Sequence, residues 1–185
     1  MSLRHAILTA LLERPSSGLD LARRFDRSIG YFWPATHQSI YRELARLETE
    51  QWVESVPQPR SRGRRKLYRV LPAGRSALIA WLAQDEEPER NRDALLVRLR
   101  AASVVGPGPL LQQMRAHRDA HARQHAEYLE IAERDFADVG EDPGARLRML
   151  ILEAGIGLEN HWMTWLSEAI DVLATLDSSD QVSDR

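Results

Sequence analysis

Thr36, His37, Gln38, Ser39, Tyr41 and Arg42 bring hydroxyls, an imidazole, a carboxamide, a phenol and a guanidinium into one short stretch, with no acid before Glu43. Arg, Gln, Ser and Thr are the side chains that read base edges in the major groove, and the N-terminus of a helix also welcomes phosphate. A second set stands a little further on: Arg60, Arg62, Arg64, Arg65 and Lys66 surround Gly63. Cations spaced like this suit the phosphate backbone rather than the bases. Taken alone, the first set is also what the polar outer face of any amphipathic helix looks like, and the second is also an ordinary solvated loop. The elements that carry them decide between these readings.

Pro34 disfavours helix at Trp33, and Thr36 can then cap a helix whose Ile40, Leu44 and Leu47 form a narrow apolar stripe. Two helices are expected before it. The first, 2–13, carries Leu3, Ile7, Leu8, Leu11 and Leu12; the second, 18–27, carries Leu21, Ala22 and Phe25 and is capped by Ser16 or Ser17. Helix, helix, turn, helix within some fifty residues is a helix-turn-helix core. The period then changes. Residues 52–56 and 67–70 alternate apolar and polar and read as two strands, with Pro57 and Pro59 at an edge and Gly63 at the tip. A basic hairpin directly after a helix-turn-helix makes a winged helix, with its wing along the backbone and its helix in the groove. Pro72 opens a further helix with Ala77, Leu78, Trp81 and Leu82 apolar.

The charge divides in the same place. Residues 1–82 hold 14 Lys and Arg against 7 Asp and Glu, while the remainder hold 11 against 20. An anionic partner is therefore expected for the first part only, and double-stranded DNA fits. The expected organisation is a winged helix-turn-helix over 1–84, a charged linker over 85–92, a helical domain over 93–176 and a disordered polar tail over 177–185. The fold class is mainly α with a small β-hairpin.

In the second half a short helix, 94–105, is stopped by Gly106-Pro107-Gly108-Pro109. Long helices are expected over 110–136 and 145–176. In the last, Leu147, Ile151, Ala154, Leu158, Trp165, Ala169, Val172 and Leu176 recur every three or four residues, and Leu150, Trp162, Leu166 and Leu173 widen the face. So small a domain cannot cover two ridges on one helix, and a second copy is the economical cover. Trp162 and Trp165 suit a planar, apolar or cationic effector as well as a dimer core.

Other chemistries fare worse. The chain has no Cys, which excludes disulfides, zinc thiolate sites and thiol nucleophiles. No nucleophile elbow, phosphate loop or zinc HExxH motif occurs, so neither an enzyme nor a cofactor is expected. His117, His121 and His125 stand at steps of four with Tyr128 continuing the line. Adjacent imidazoles there can share a metal, but three spread over about 12 Å of helix cannot meet one ion, and a polar stripe at an interface is the simpler reading. Neither a signal peptide nor a membrane span is apparent, and a cytoplasmic protein is expected. The rival to DNA reading is a winged helix used for protein contacts or RNA.

The motifs Phe32-Trp33-Pro34, 39–48, Gly63-Arg64, 66–70, Pro72-Ala73-Gly74-Arg75 and Trp81-Leu82 resemble the PadR-like winged-helix transcriptional regulators. Within that family the long helical second half, with Trp165-Leu166 near its end, is similar to the virulence-activator subgroup. The resemblance implies a homodimer whose last helix packs on its partner, and usually a repressor answering to a small molecule or stress. Three positions depart from the family's pattern. Leu19 follows Gly18 where an aromatic is usual. Gln51 replaces the glycine that ends the recognition helix, so the turn into the wing should be made differently. Leu71 replaces a capping Thr before Pro72.

Overall fold

The computed structural model describes residues 3–27, 34–57, 66–87, 93–137, 140 and 142–183, with side chains described as far as 176. It divides into two compact units, Met1–Pro88 and Glu89–Arg185.

The first unit holds α1 (Leu3–Glu13), β1 (Ser16–Ser17), α2 (Gly18–Arg27), α3 (His37–Thr49), β2 (Val53–Pro57), β3 (Lys66–Val70) and α4 (Pro72–Leu82). Its core is built from the apolar stripes the periodicity marks. Ile7, Leu8 and Leu11 of α1 meet Leu21, Ala22 and Phe25 of α2, and Ile40, Leu44 and Leu47 of α3 close over them with Val53 and Leu78. Each large side chain so buried favours the folded state by roughly 1.5–3 kcal/mol. Leu12 and Leu82, expected on apolar faces, are exposed. Each lies at or near the end of its helix, beyond the reach of the core.

Two caps fix the first turn of the motif. Ser17 Oγ accepts from the backbone N–H of Asp20, at 3.2 Å, and donates to the Asp20 carboxylate, at 2.7 Å. Arg24 reaches back from α2 to the carbonyls of Ala10 and Arg14, at 2.7 and 3.1 Å, satisfying the open end of α1.

The sheet has three strands, not two, in the order β1-β3-β2. Ser16 and Ser17 pair with Tyr68 and Leu67, which places β3 in the middle. The antiparallel β2–β3 ladder runs from Val53↔Val70 to Pro57↔Lys66, and Glu54 and Arg69, directly opposite one another, form an ion pair. Residues 58–65, which join the paired ends Pro57 and Lys66, lie outside the described residues.

The turn from α3 into β2 is made as a glycine would make it. Gln51 adopts φ +58°, the left-handed conformation. Its N–H donates to the Glu48 carbonyl at 3.1 Å, and the Trp52 N–H to that of Leu47 at 2.9 Å. These two bonds are the Schellman closure of a helix, here built on a residue with a Cβ. The expectation of a different turn is thus corrected: the two hydrogen bonds hold Gln51 in place against a steric cost of about 1–2 kcal/mol. Gln51→Gly should therefore raise the stability of this unit by about 1 kcal/mol, the greater chain entropy of glycine offsetting part of the relief. A melting temperature unchanged or lowered in the variant would show that the left-handed turn carries no such cost.

Leu71 caps α4 without a side-chain hydrogen bond, and Pro72 begins the helix. The start of α4 is held instead by the Leu71 N–H, which donates to the Trp52 carbonyl at 2.8 Å. That carbonyl lies so close to α4 that a Cβ on Gly74 would stand 2.4 Å from its oxygen. At the other end of α4, Trp81 stacks on His5 with ring centroids 4.4 Å apart. Burial, and then the Arg4 guanidinium, hold the His5 imidazole below its ordinary pKa.

The second unit holds α5 (Ala94–Val105), α6 (Leu110–Phe136) and α7 (Pro143–Ser183). Asp93 caps α5, and Gly106 ends it at φ +87°. Pro143 opens α7 at its first position, two residues before the expected start, while both carboxylate oxygens of Asp142 accept at 3.0 Å from the N–H groups of Gly144 and Ala145. The backbone of α7 continues through Ser183, in place of the disordered tail expected from 177. The run 177–183 contains neither Gly nor Pro, so nothing in it stops a helix already propagating.

α6 and α7 run antiparallel. Tyr128 lies over Gly155, whose hydrogen leaves room for the ring, and His121 meets Glu159 and Trp162. Leu110 and Met114 join Leu166, Ala169, Ile170 and Leu173, with Leu95 and Ala102 of α5 completing the cluster. The two ridges of α7 therefore do not share one surface. Leu166, Ala169 and Leu173 are buried within their own chain, whereas Leu147, Leu150, Ile151, Ala154, Leu158, Val172 and Leu176 lie on the uncovered side.

A candidate nucleic-acid interface

Thr36 caps α3 from an extended conformation, φ −75° and ψ 149°, and its Oγ1 accepts from the Ser39 N–H at 3.2 Å. The Ser39 hydroxyl donates back to the Thr36 carbonyl at 2.7 Å. Both residues are thus occupied in starting the helix, and Ser39 is half-buried. Their part is to present the free N–H groups and positive end of the first turn.

The next residues are not equally free. His37 Nε2 lies 2.8 Å from Asp26 Oδ2 on α2. Tyr41 rests against the start of α2: a Cβ on Gly18 would stand 2.4 Å from its Cε1. Gln38 and Arg42 are exposed and have no hydrogen-bond or ion-pair partner among the described residues. Lys66 is exposed at the base of the wing. Arg60, Arg62, Arg64 and Arg65 lie outside the described residues.

The first acid of α3 points the other way. Glu43 is only 9% exposed. Its carboxylate receives Arg4 of α1 at 3.2 Å and Arg46 at 3.6 Å. Arg4 also contacts both carboxylate oxygens of Glu50, at 3.2 and 3.3 Å, and lies 5.1 Å over the Trp52 ring. One guanidinium thus ties α1 to the middle and the C-terminal end of α3 and neutralises the first acid of that helix. Arg4, Gly18 and Asp26 are the residues that sequence reasoning missed. Helical periodicity shows that Glu43 adjoins the apolar stripe, but not which cation from another helix meets it.

In the second unit the other expected site residues separate. Leu147 is 64% exposed, Leu158 56% and Ile151 44%, with Ala154 and Val172 beside them, whereas Ala169 is buried. Trp162 and Trp165 are half-buried and meet edge to face, with centroids 5.6 Å apart. One face of Trp162 is taken by His121, stacked at 5.7 Å and held by Glu159 at 2.5 Å from its Nδ1. His117 is exposed and His125 half-buried. Among the described residues no three His, Asp or Glu side chains converge as a metal site would need, and no helix is long and apolar enough to cross a membrane.

The pattern of the transcriptional regulator PadR-like family matches residues 7–80, and that of the virulence activator alpha C-terminal family matches 91–174. A probable transcriptional regulator of Mycobacterium tuberculosis is 39% identical over 94% of this chain and 98% of its own. The chain belongs to the PadR-like family of transcriptional regulators, which are not enzymes. Among solved structures, the Vibrio cholerae virulence activator AphA is 32% identical, with a TM-score of 0.83 over 94% of this chain and 99% of that one. Bacillus subtilis PadR in complex with operator DNA shares the fold, with a TM-score of 0.79 at 21% identity over 92% and 98% of the two chains. PadR in complex with p-coumaric acid does so with a TM-score of 0.76 at 22% identity over 93% and 98%. The PadR-like match spans α2 to β3 with most of α1 and α4, and the virulence-activator match spans α5, α6 and most of α7.

Proposed function

We propose that this regulator reads double-stranded DNA in a sequence-specific manner, as a homodimer on a palindromic operator, and acts as a repressor released by a small molecule. The observation that carries the reading is the face of α3. Its first turn is capped and free of acids, Gln38 and Arg42 stand free on the outside, and Glu43 is folded inward against Arg4. Within this reading Thr36 and Ser39 present the helix terminus, while His37, Gln38, Tyr41 and Arg42 reach the groove. Arg60, Arg62, Arg64, Arg65 and Lys66 hold the phosphates.

The uncovered ridge of Leu147, Ile151, Ala154, Leu158 and Val172 supplies the contact between copies, and Trp162 and Trp165 stand near it as the wall for a planar or cationic effector. The neighbours supply the precedent, one solved with operator DNA and one with p-coumaric acid. Such a regulator works in the cytoplasm.

Competition between a palindromic site and a scrambled duplex of equal length tests the reading. Gln38→Ala should cost about 1–3 kcal/mol on the cognate site and much less on scrambled DNA. Arg62→Ala with Arg64→Ala should weaken both alike, lowering the slope of log K against log salt by about 0.9 for each phosphate no longer neutralised. A wild-type protein that bound cognate and scrambled duplexes equally would refute sequence-specific reading. A double variant that kept the full salt slope would remove the wing from it.

A further inference from the structure

Asp26 lies one helix away from the recognition helix, and no feature of the sequence connects it with the reading of bases. It is half-exposed, as is His37, and the two meet through Nε2 of the imidazole at 2.8 Å. His37 is the first residue of α3, and Nδ1, on the far side of the ring from Nε2, has no partner among the described residues. We propose that Asp26 is a specificity-determining residue: it fixes the imidazole of His37 so that Nδ1 is presented to the groove as a hydrogen-bond acceptor. The inference rests on the DNA reading above.

The physical argument concerns which nitrogen carries the proton. A neutral imidazole has one donor and one acceptor nitrogen, and the bond made by one decides the role of the other. A carboxylate can only accept, so the nitrogen facing Asp26 must donate. In the neutral ring Nε2 therefore holds the hydrogen, and Nδ1 keeps its lone pair. In the major groove an acceptor complements the amino groups of cytosine and adenine, and it is repelled by the O6 and N7 of guanine and the O4 of thymine. Without Asp26 the ring can carry its hydrogen on either nitrogen and rotate, and it then suits guanine or thymine equally well. The carboxylate converts an ambiguous side chain into one that prefers an amino-bearing base at a single position of each half-site. Asp26 itself contacts no base and acts through His37.

The test does not require a defined operator. The full-length protein is incubated with a randomised double-stranded library, the bound fraction is sequenced, and the enriched motif is compared among wild type, His37→Ala, Asp26→Ala and Asp26→Asn. Because both residues are half-exposed, the variants should keep the wild-type melting temperature, which is checked first. Wild type should enrich cytosine or adenine at one position per half-site. His37→Ala and Asp26→Ala should each lose that preference, by roughly three- to tenfold, with the other positions unchanged. Asp26→Asn, whose side-chain carbonyl can still accept from Nε2, should retain it.

Three results would overturn the proposal while leaving DNA reading intact. One is a wild-type preference for guanine or thymine at the His37 position. Another is an Asp26→Ala motif identical to wild type. The third is an Asp26→Ala protein that binds every duplex more tightly with no change of motif, as expected if the carboxylate merely repels phosphate. A wild-type protein that enriched no common sequence would instead overturn the DNA reading, and this inference with it.

Discussion

The full chain carrying Ile151→Glu and Leu158→Glu is expected to sediment as a monomer and to bind its operator about 10²–10⁴-fold more weakly, with its helical content intact. In the single protomer Ile151 and Leu158 are 44% and 56% exposed, so a carboxylate at either position stays in water and costs that protomer little. Only a second copy covering the ridge would bury the charges, and there they would find no partner. The change thus separates assembly from folding. The same substitutions at Leu166 and Leu173, which are fully buried in their own chain, would destroy the unit itself and test nothing. Operator affinity should fall with assembly because a single winged helix contacts only a few base pairs, and two joined copies bind their half-sites as one event. A dimer that survived both charges would move the contact between copies elsewhere on the molecule.

The second large effect is expected at Gly74. Gly74→Ala should destabilise the first unit by about 2 kcal/mol and lower its melting temperature by roughly 10 °C. Alanine is the better helix former, and on an open helix surface the change would stabilise by up to about 1 kcal/mol. Here the new methyl would stand 2.4 Å from the Trp52 carbonyl oxygen and 3.0 Å from its carbon. A backbone group cannot swing aside as a side-chain end can. To make room, α4 must lift, which stretches the Leu71 N–H bond to that same carbonyl and loosens the join between α4 and the α3–β2 turn. A thermal melt of the variant decides the matter, and an unchanged midpoint would show that α4 is not clamped there.

The elements carrying strong periodicity are legible from the residues alone. The stripe Ile40, Leu44 and Leu47, the Thr36 cap and the β2–β3 alternation all follow from side chains a few positions apart, and local spacing is what a sequence displays. Three features need the third dimension. Ser16 and Ser17 have no strand character of their own and become β1 only because β3 offers an edge to pair with. Gln51 carries no mark of a left-handed conformation, which the closing hydrogen bonds of α3 impose on it. The apolar residues of α7 can be counted in advance, but their division between α6 and the open side depends on the phase at which two helices meet. For the same reason Asp26 and Arg4, each reaching α3 from another helix, could not be foreseen beside His37 and Glu43.

The length of α7 has a mechanical side. Forty-one residues of unbroken helix make a rod of about 60 Å. A rod of that length is a lever: a tilt of only ~3° about one end sweeps the other through about 3 Å, close to the rise of one base pair along a DNA strand. On the proposed release by a small molecule, a ligand wedged at mid-rod, where Trp162 stands, would need to move its neighbours by only about 1.5 Å, half of that sweep. The helix itself supplies the amplification.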